Sequence, residues 1–195
     1  MEKNNFWNDA ARCGAIVGAL LGVSYVLETS MQLSGRMSLY VLLSLEWIAV
    51  FAIHLWLMIR FVRRRSMCFS ADEGFTFGQG YGYAVAISGF AGFIVGIVQA
   101  IWLHVVLGYA NYIDRASAAM TDLLGRSGGL PASMESVFAQ TISQLKAAPA
   151  PSVLSTVWGG VFSGLLYGAV FGLIVAAVAA RQPKPFGPEN SEVNE

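Results

Sequence analysis

The sequence predicts an all-α integral membrane protein, a four-helix bundle with a helical outer loop between helices three and four. Three observations predict it. Hydrophobic residues make up 55% of the 195-residue chain and charged residues only 12%, about half the ~25% charged share of soluble domains. The apolar residues fall in four uninterrupted runs of 19 to 24 residues, long enough to cross a ~30 Å hydrocarbon core as a helix rising ~1.5 Å per residue. Lys and Arg are distributed unevenly among the connecting segments, as they are in polytopic membrane proteins.

The first run is Cys13–Met31. Lys3 and Arg12 precede it, as in a signal peptide, but no small-x-small cleavage site leads into a polar mature domain, so a retained signal anchor fits better. The short link QLSGRMS forces an antiparallel hairpin with the second run, Leu39–Ile59. A basic block follows: Arg60, Arg63, Arg64 and Arg65. The glycine-rich stretch GFTFGQGYGY lacks the GK[ST] ending of a phosphate loop and follows no strand. It is expected to be a flexible turn with aromatic anchors at the membrane interface. The third run is Tyr83–Val106 and the fourth Val157–Ala179, with about fifty residues between them.

That long connection predicts a helical hairpin over about 111–146. Ile113, Ala116, Met120, Leu123 and Leu124 recur at helical spacing, as do Met134, Val137, Phe138, Ile142 and Leu145, and GRSGGLP separates the two sets. The apolar faces need cover from each other, from the membrane interface or from a protein partner. Residues 1–182 form a single membrane domain in this reading, and the Pro-rich polar tail 183–195 is expected to be disordered and cytoplasmic.

Orientation follows the basic residues. Lys3, Arg12, Arg60, Arg63, Arg64, Arg65, Arg181 and Lys184 fall on one side, against Arg36, Arg115, Arg126 and Lys146 on the other. Eight against four places both termini in the cytoplasm. Trp56, Trp102, Tyr109, Tyr112 and Trp158 lie near the proposed boundaries, where amphipathic rings prefer to sit. Cys13 and Cys68 then share the reducing side and are expected to be free thiols.

Small residues recur at every fourth position. Gly14, Gly18 and Gly22 do so in the first run, Ala84, Ser88, Gly92, Gly96 and Ala100 in the third, and Gly160, Gly164, Gly168 and Gly172 in the fourth. Such ladders let helix backbones approach closely in lipid, where little hydrophobic force drives helices together. Packing within one bundle is the simpler use; a homo-oligomer seam is the alternative.

Four polar residues from four helices fall at a common depth. Counting inward from Met31, Leu39, Val106 and Val157, the residues Ser24, Glu46, Gln99 and Ser163 lie six or seven positions in, or ~9–11 Å. A carboxylate facing lipid there costs at least ~2.5–3.5 kcal/mol, so Glu46 is expected to face the bundle interior and take hydrogen bonds from the other three.

No enzyme signature is present: no HExxH and no GxSxG. His54 and His104 lie ~20 Å apart in depth, too far to share one ion through ~2 Å bonds. The expectation is a non-enzyme with no cofactor, no metal and no nucleic-acid partner, the net charge being zero.

The layout resembles the bacterial membrane family known as domain of unknown function 4199. Four features carry the resemblance: the first hairpin with its short outer link; the basic stretch followed by Phe77-Gly78; the aromatic exit IWLHVVLGYANY leading into a helical outer loop; and a final apolar helix stopping at Arg181. The resemblance implies the inner membrane of a Gram-negative bacterium and carries over no activity, cofactor or catalytic residue. The leading expectation is a structural or protein-interaction component, embedded in the lipid bilayer and contacting a partner through the outer loop. The alternative is a small oligomeric transporter or channel that uses the intramembrane polar cluster.

Overall fold

A computed structural model of the chain describes residues 5–126, 128–129 and 131–182. The expected tail 183–195, Lys3 and parts of the hairpin link lie outside the described residues. Six α-helices follow in order: α1 (Phe6–Gln32), α2 (Met37–Ser66), α3 (Phe77–Ala100), α4 (Tyr109–Arg126), α5 (Ala132–Ala147) and α6 (Val153–Ala179). A π-helical turn, Ile101–Val106, extends α3. Four segments are long and apolar enough to cross a membrane: α1, α2, α3 with its extension, and α6. The all-α fold with an extra helical pair between the third and fourth spans is as the sequence predicts.

The spans are longer than the hydrophobic runs, because backbone hydrogen bonding continues past the hydrocarbon. α1 begins seven residues before Cys13, at Phe6. α2 continues to Ser66, so Arg63, Arg64 and Arg65 form its last turn instead of following it. Cations at a helix C-terminus oppose the partial negative charge of its unpaired carbonyls.

The glycine-rich stretch is not a flexible turn. Thr76 caps α3: its hydroxyl accepts from the Gln79 amide at 3.3 Å, and the Gln79 side chain accepts from the Thr76 amide at 2.8 Å. This reciprocal pair is a capping box. Just ahead of it, Phe75 and Arg181 exchange two backbone hydrogen bonds of 2.9 Å in an isolated antiparallel bridge. The helix therefore starts at Phe77, six residues before the predicted run, and Tyr83 is wholly buried where an interface anchor was expected.

α3 is the central helix, packed most extensively on α6 and next on α1. Its buried positions Gly80, Ala84, Ser88, Gly92, Gly96 and Ala100 form one stripe at intervals of four. A side-chain carbon on Gly160 would meet the Gly96 Cα at 2.5 Å, and one on Gly168 would meet the Ser88 Cβ at 2.6 Å. On the other side, carbons on Gly14 and Gly18 would sit 2.7 and 2.8 Å from the carbonyl oxygens of Ile87 and Ala91. Gly22 faces Val98, and Gly172 faces Ala84 and Tyr81. Small side chains let three backbones come together by dispersion contact where larger ones would hold them apart.

α2, which lacks such a ladder, is peripheral. It packs on α1 and α6 but little on α3. Its apolar Val41, Leu45, Ile48 and Trp56 are each more than half exposed, as lipid-facing residues are. The outer pair α4–α5 is held by an ion pair between Lys146 and Asp114 at 2.9 Å. The helices cover each other only in part: Ile113 is buried, whereas Met120, Met134 and Val137 are exposed.

Candidate functional site

All four spanning helices line one cleft of about 430 Å³. Each contributes a single face at helical spacing: Leu21, Ser24 and Glu28 from α1; Trp47, Val50, Phe51 and His54 from α2; Ser88, Gly92, Val95 and Gln99 from α3; Gly160, Ser163, Gly164 and Tyr167 from α6. The cleft exists because α2 has no small-residue stripe. Its bulky side chains hold it off α3, which is pressed between α1 and α6.

The cleft runs through the half of the bundle nearer the α4–α5 hairpin. Glu28 is four residues from the end of α1, whereas Ser88 and His54 lie near the middle of their helices. At the hairpin end Glu28 is near Tyr112 of α4, a half-buried phenol whose pKa desolvation pushes above the ordinary value. At the rim between α2 and α6, Phe51 meets Phe171 edge-on at 5.4 Å and Tyr167 stacks on Phe171 at 5.9 Å. Tyr167 and Phe51 are at least half exposed, so the aromatic rim faces the lipid side of the bundle.

The opposite end is closed. Val17, Met58, Val62, Phe75, Tyr83, Ile87 and Val175 form the apolar core there. Beneath it, Arg65 pairs with Asp9 at 3.1 Å, both side chains being at most 10% exposed. The Arg65 guanidinium lies 5.7 Å from the Phe6 ring centre and 5.6 Å from that of Tyr83, within cation–π range. Cys13 Sγ is 3.7 Å from the Tyr83 hydroxyl. Arg181 donates from its guanidinium to the Ser66 carbonyl, joining the end of α6 to the end of α2.

The four residues of the expected polar layer are brought together incompletely. Ser24 donates a short hydrogen bond to Glu46 Oε1. Ser24, Gln99 and Ser163 share the cleft, but Glu46 does not line it. Its Oε2 is buried and has no hydrogen-bond partner among the described residues. Depth along a helix is readable from sequence; the direction around it is not, and Glu46 is rotated ~100° from Trp47, its neighbour on the lining face. Gln99 and His54 have no side-chain hydrogen bond to protein among the described residues.

Sequence reasoning missed Glu28, Ser88 and Tyr167 as lining residues, and Asp9 as the partner of Arg65. Glu28 falls inside the first hydrophobic run, Cys13–Met31, and was not singled out there, and Arg65 was read as a determinant of topology. The available signal was spacing: Ser24 and Glu28 are four apart, Trp47 and His54 seven, Ser88 and Gln99 eleven, close to one, two and three turns of a helix. His104 lies elsewhere, bonded to Thr156 at 3.2 Å and stacked near Tyr109. Among the described residues no group of three His, Cys, Asp or Glu side chains converges as metal ligands. Both cysteines are free thiols.

Four apolar spans and lipid-facing apolar surfaces define a polytopic α-helical membrane protein. Within that class the chain belongs to the bacterial family described as "Protein of unknown function (DUF4199)", which matches residues 12–181. No curated protein and no solved structure matches it.

Proposed function

We propose that the chain is a solute-handling protein of the bacterial inner membrane, with both termini cytoplasmic, and that the cleft is where the solute binds. The alternative raised by the sequence, a small oligomeric transporter or channel, thereby becomes the leading reading. One observation carries it: side chains of Ser24, Glu28, His54, Gln99 and Ser163, drawn from all four spans, line a single cleft. Polar groups at this depth are expensive and in membrane proteins commonly mark solute or ion paths. Groups serving only to tie helices together would bond one another, yet among the described residues the side chains of Gln99 and His54 do not. Four spans are few to enclose a transport path, so the reading carries a homo-oligomer. It assigns no covalent chemistry, enzymatic turnover or cofactor.

The test is solute-dependent stabilisation of the purified full chain, using cationic, anionic and neutral probes against wild type and Ser163→Trp, which fills the cleft. At least one class should stabilise wild type and not the filled variant. Stabilisation of neither protein by any class overturns the reading. Orientation is checked by reporter fusions at Arg181 and near Gly128, which should give opposite signals; matching signals refute the proposed topology.

A second reading, an interaction component acting through the outer hairpin, is favoured by the exposed Met134, Val137 and Leu145 of α5. Deleting residues 108–152 should then abolish a specific crosslinked partner. Retention of every crosslink would count against it.

A further inference from the structure

Resting on that reading of the cleft as a solute site, we propose that its ligand is a lipophilic organic cation: a protonated or quaternary amine, or a phosphonium, carried on an apolar body. The lining has one sign of charge. Glu28 is the carboxylate in the lining, and Glu46, which accepts a hydrogen bond from the lining residue Ser24, stands just behind with a buried oxygen that lacks a partner among the described residues. Among the described residues no Lys or Arg lines the cleft. Positive charge therefore gains in this site, and an anion meets repulsion with no compensating donor cation.

The rest of the lining specifies the body of the ligand. Leu21, Val50, Phe51, Ala91 and Val95 are apolar, and Trp47 and Tyr167 add aromatic rings, a side-chain type that attracts cations. A bare metal ion fits this lining poorly, since hard cations take six or more oxygen ligands or a tight carboxylate set. The cleft volume, about 430 Å³, falls within the ~300–1,000 Å³ usual for small-molecule sites.

The route of entry fits the same class. The aromatic rim at Phe51, Tyr167 and Phe171 lies between α2 and α6 on the lipid-facing side, while the opposite end is sealed by the apolar core and the Asp9–Arg65 pair. A ligand that partitions into the bilayer reaches the cleft sideways, between the helix that packs least tightly and its neighbour.

Tetraphenylphosphonium and the similarly shaped anion tetraphenylborate separate the outcomes, measured by equilibrium binding to the full chain in lipid nanodiscs. Wild type should bind the phosphonium saturably and not the borate. Glu28→Gln should weaken binding by about tenfold or more, the loss expected for a charged contact, and Glu28→Asp should retain most of it. Ser163→Trp should abolish the saturable component. Equal binding of cation and anion, or no effect of Glu28→Gln in a monodisperse protein, overturns the cation assignment and leaves the cleft as a solute site. Saturable binding that survives Ser163→Trp locates the probe outside the cleft and overturns the inference. Failure of both ions to bind, with no other solute class stabilising the protein, removes the solute reading itself. Should Glu28→Gln fail to fold, the Glu28→Asp and Ser163→Trp pair decides the matter through the cation-to-anion ratio.

Discussion

The two ends of the bundle are built on different principles. At the end bearing the arginine block, several charged and polar groups are paired: Arg65 on Asp9 and two rings, Arg181 on the Ser66 carbonyl, and Thr76 and Gln79 on each other. Along the cleft toward the hairpin end, some polar groups have no hydrogen bond among the described residues: Gln99 and His54 in the lining, and one buried oxygen of Glu46 behind it. A protein that pairs its buried charges at one end and leaves some polar groups unbonded along a cleft at the other has a place where stability is concentrated and a place where binding is affordable. α1, α3 and α6 run through both ends; α2 marks the change, because its buried residues Met58, Phe61, Val62, Arg65 and Ser66 lie almost entirely at the closed end.

The comparison is broken most severely at the closed end. Arg65→Met leaves Asp9 in a buried position without its cation and should cost about 3–5 kcal/mol, as removal of one partner of a buried pair does. Reversible unfolding in mixed detergent micelles measures it, and the double variant with Asp9→Asn should recover part of the loss. A cost near zero would mean that the pair is solvated and the closed end is not closed.

Next in size is the small-residue seam that both ends share. A side chain at Gly164 would run into the Ser88 carbonyl and the Gly92 backbone, neither of which can rotate away. Gly164→Leu should therefore destabilise the bundle by about 1–3 kcal/mol or more. The same measurement on Gly159→Leu provides the contrast, since a side chain at Gly159 meets nothing within 4 Å; equal losses at the two positions would refute close packing of α3 on α6.

The smallest effect belongs to the open end. Ser24→Ala removes one interhelical hydrogen bond to Glu46 and should cost only about 0.6 kcal/mol, the average for such bonds in a membrane protein. A loss as large as that of Arg65→Met would show the hairpin end to be as tightly determined as the other, and would erase the distinction.

Much of this was legible in the residues, and the reason differs from one feature to the next. The spans were, because hydrocarbon thickness fixes the length of an apolar run. The outer helices were placed to within one or two residues, because Ile113 to Leu124 and Met134 to Leu145 keep a helical period between breakers. The start of α3 was missed because GFTFGQGYGY was weighed by its glycines. A glycine-poor cap, Thr76 with Gln79, and the bridge from Phe75 to Arg181 outweigh the helix-breaking cost of Gly78, Gly80 and Gly82. The π-helical turn was missed as well: nothing in IWLHVV differs in composition from an α-helix, and the shift in hydrogen bonding shows only in the structure, where the Leu107 amide reaches the Trp102 carbonyl at 2.9 Å.

For the cleft the division is sharper. The sequence by itself determined that four spans exist and that three of them carry small residues every fourth position, and it led to the expectation of one depth for Ser24, Glu46, Gln99 and Ser163. Those are one-dimensional quantities: the run length is matched to the bilayer, and height accumulates by a fixed rise per residue. Only the tertiary structure decided which helix pairs use the ladders, that α2 stands off and opens a cleft, that Glu28 and His54 face it while Glu46 turns aside to Ser24, and that Arg65 finds Asp9. Each of these depends on the rotation of a helix about its own axis. That rotation is set by whichever backbones can approach most closely, and it is a property of the assembled bundle that no single helix carries.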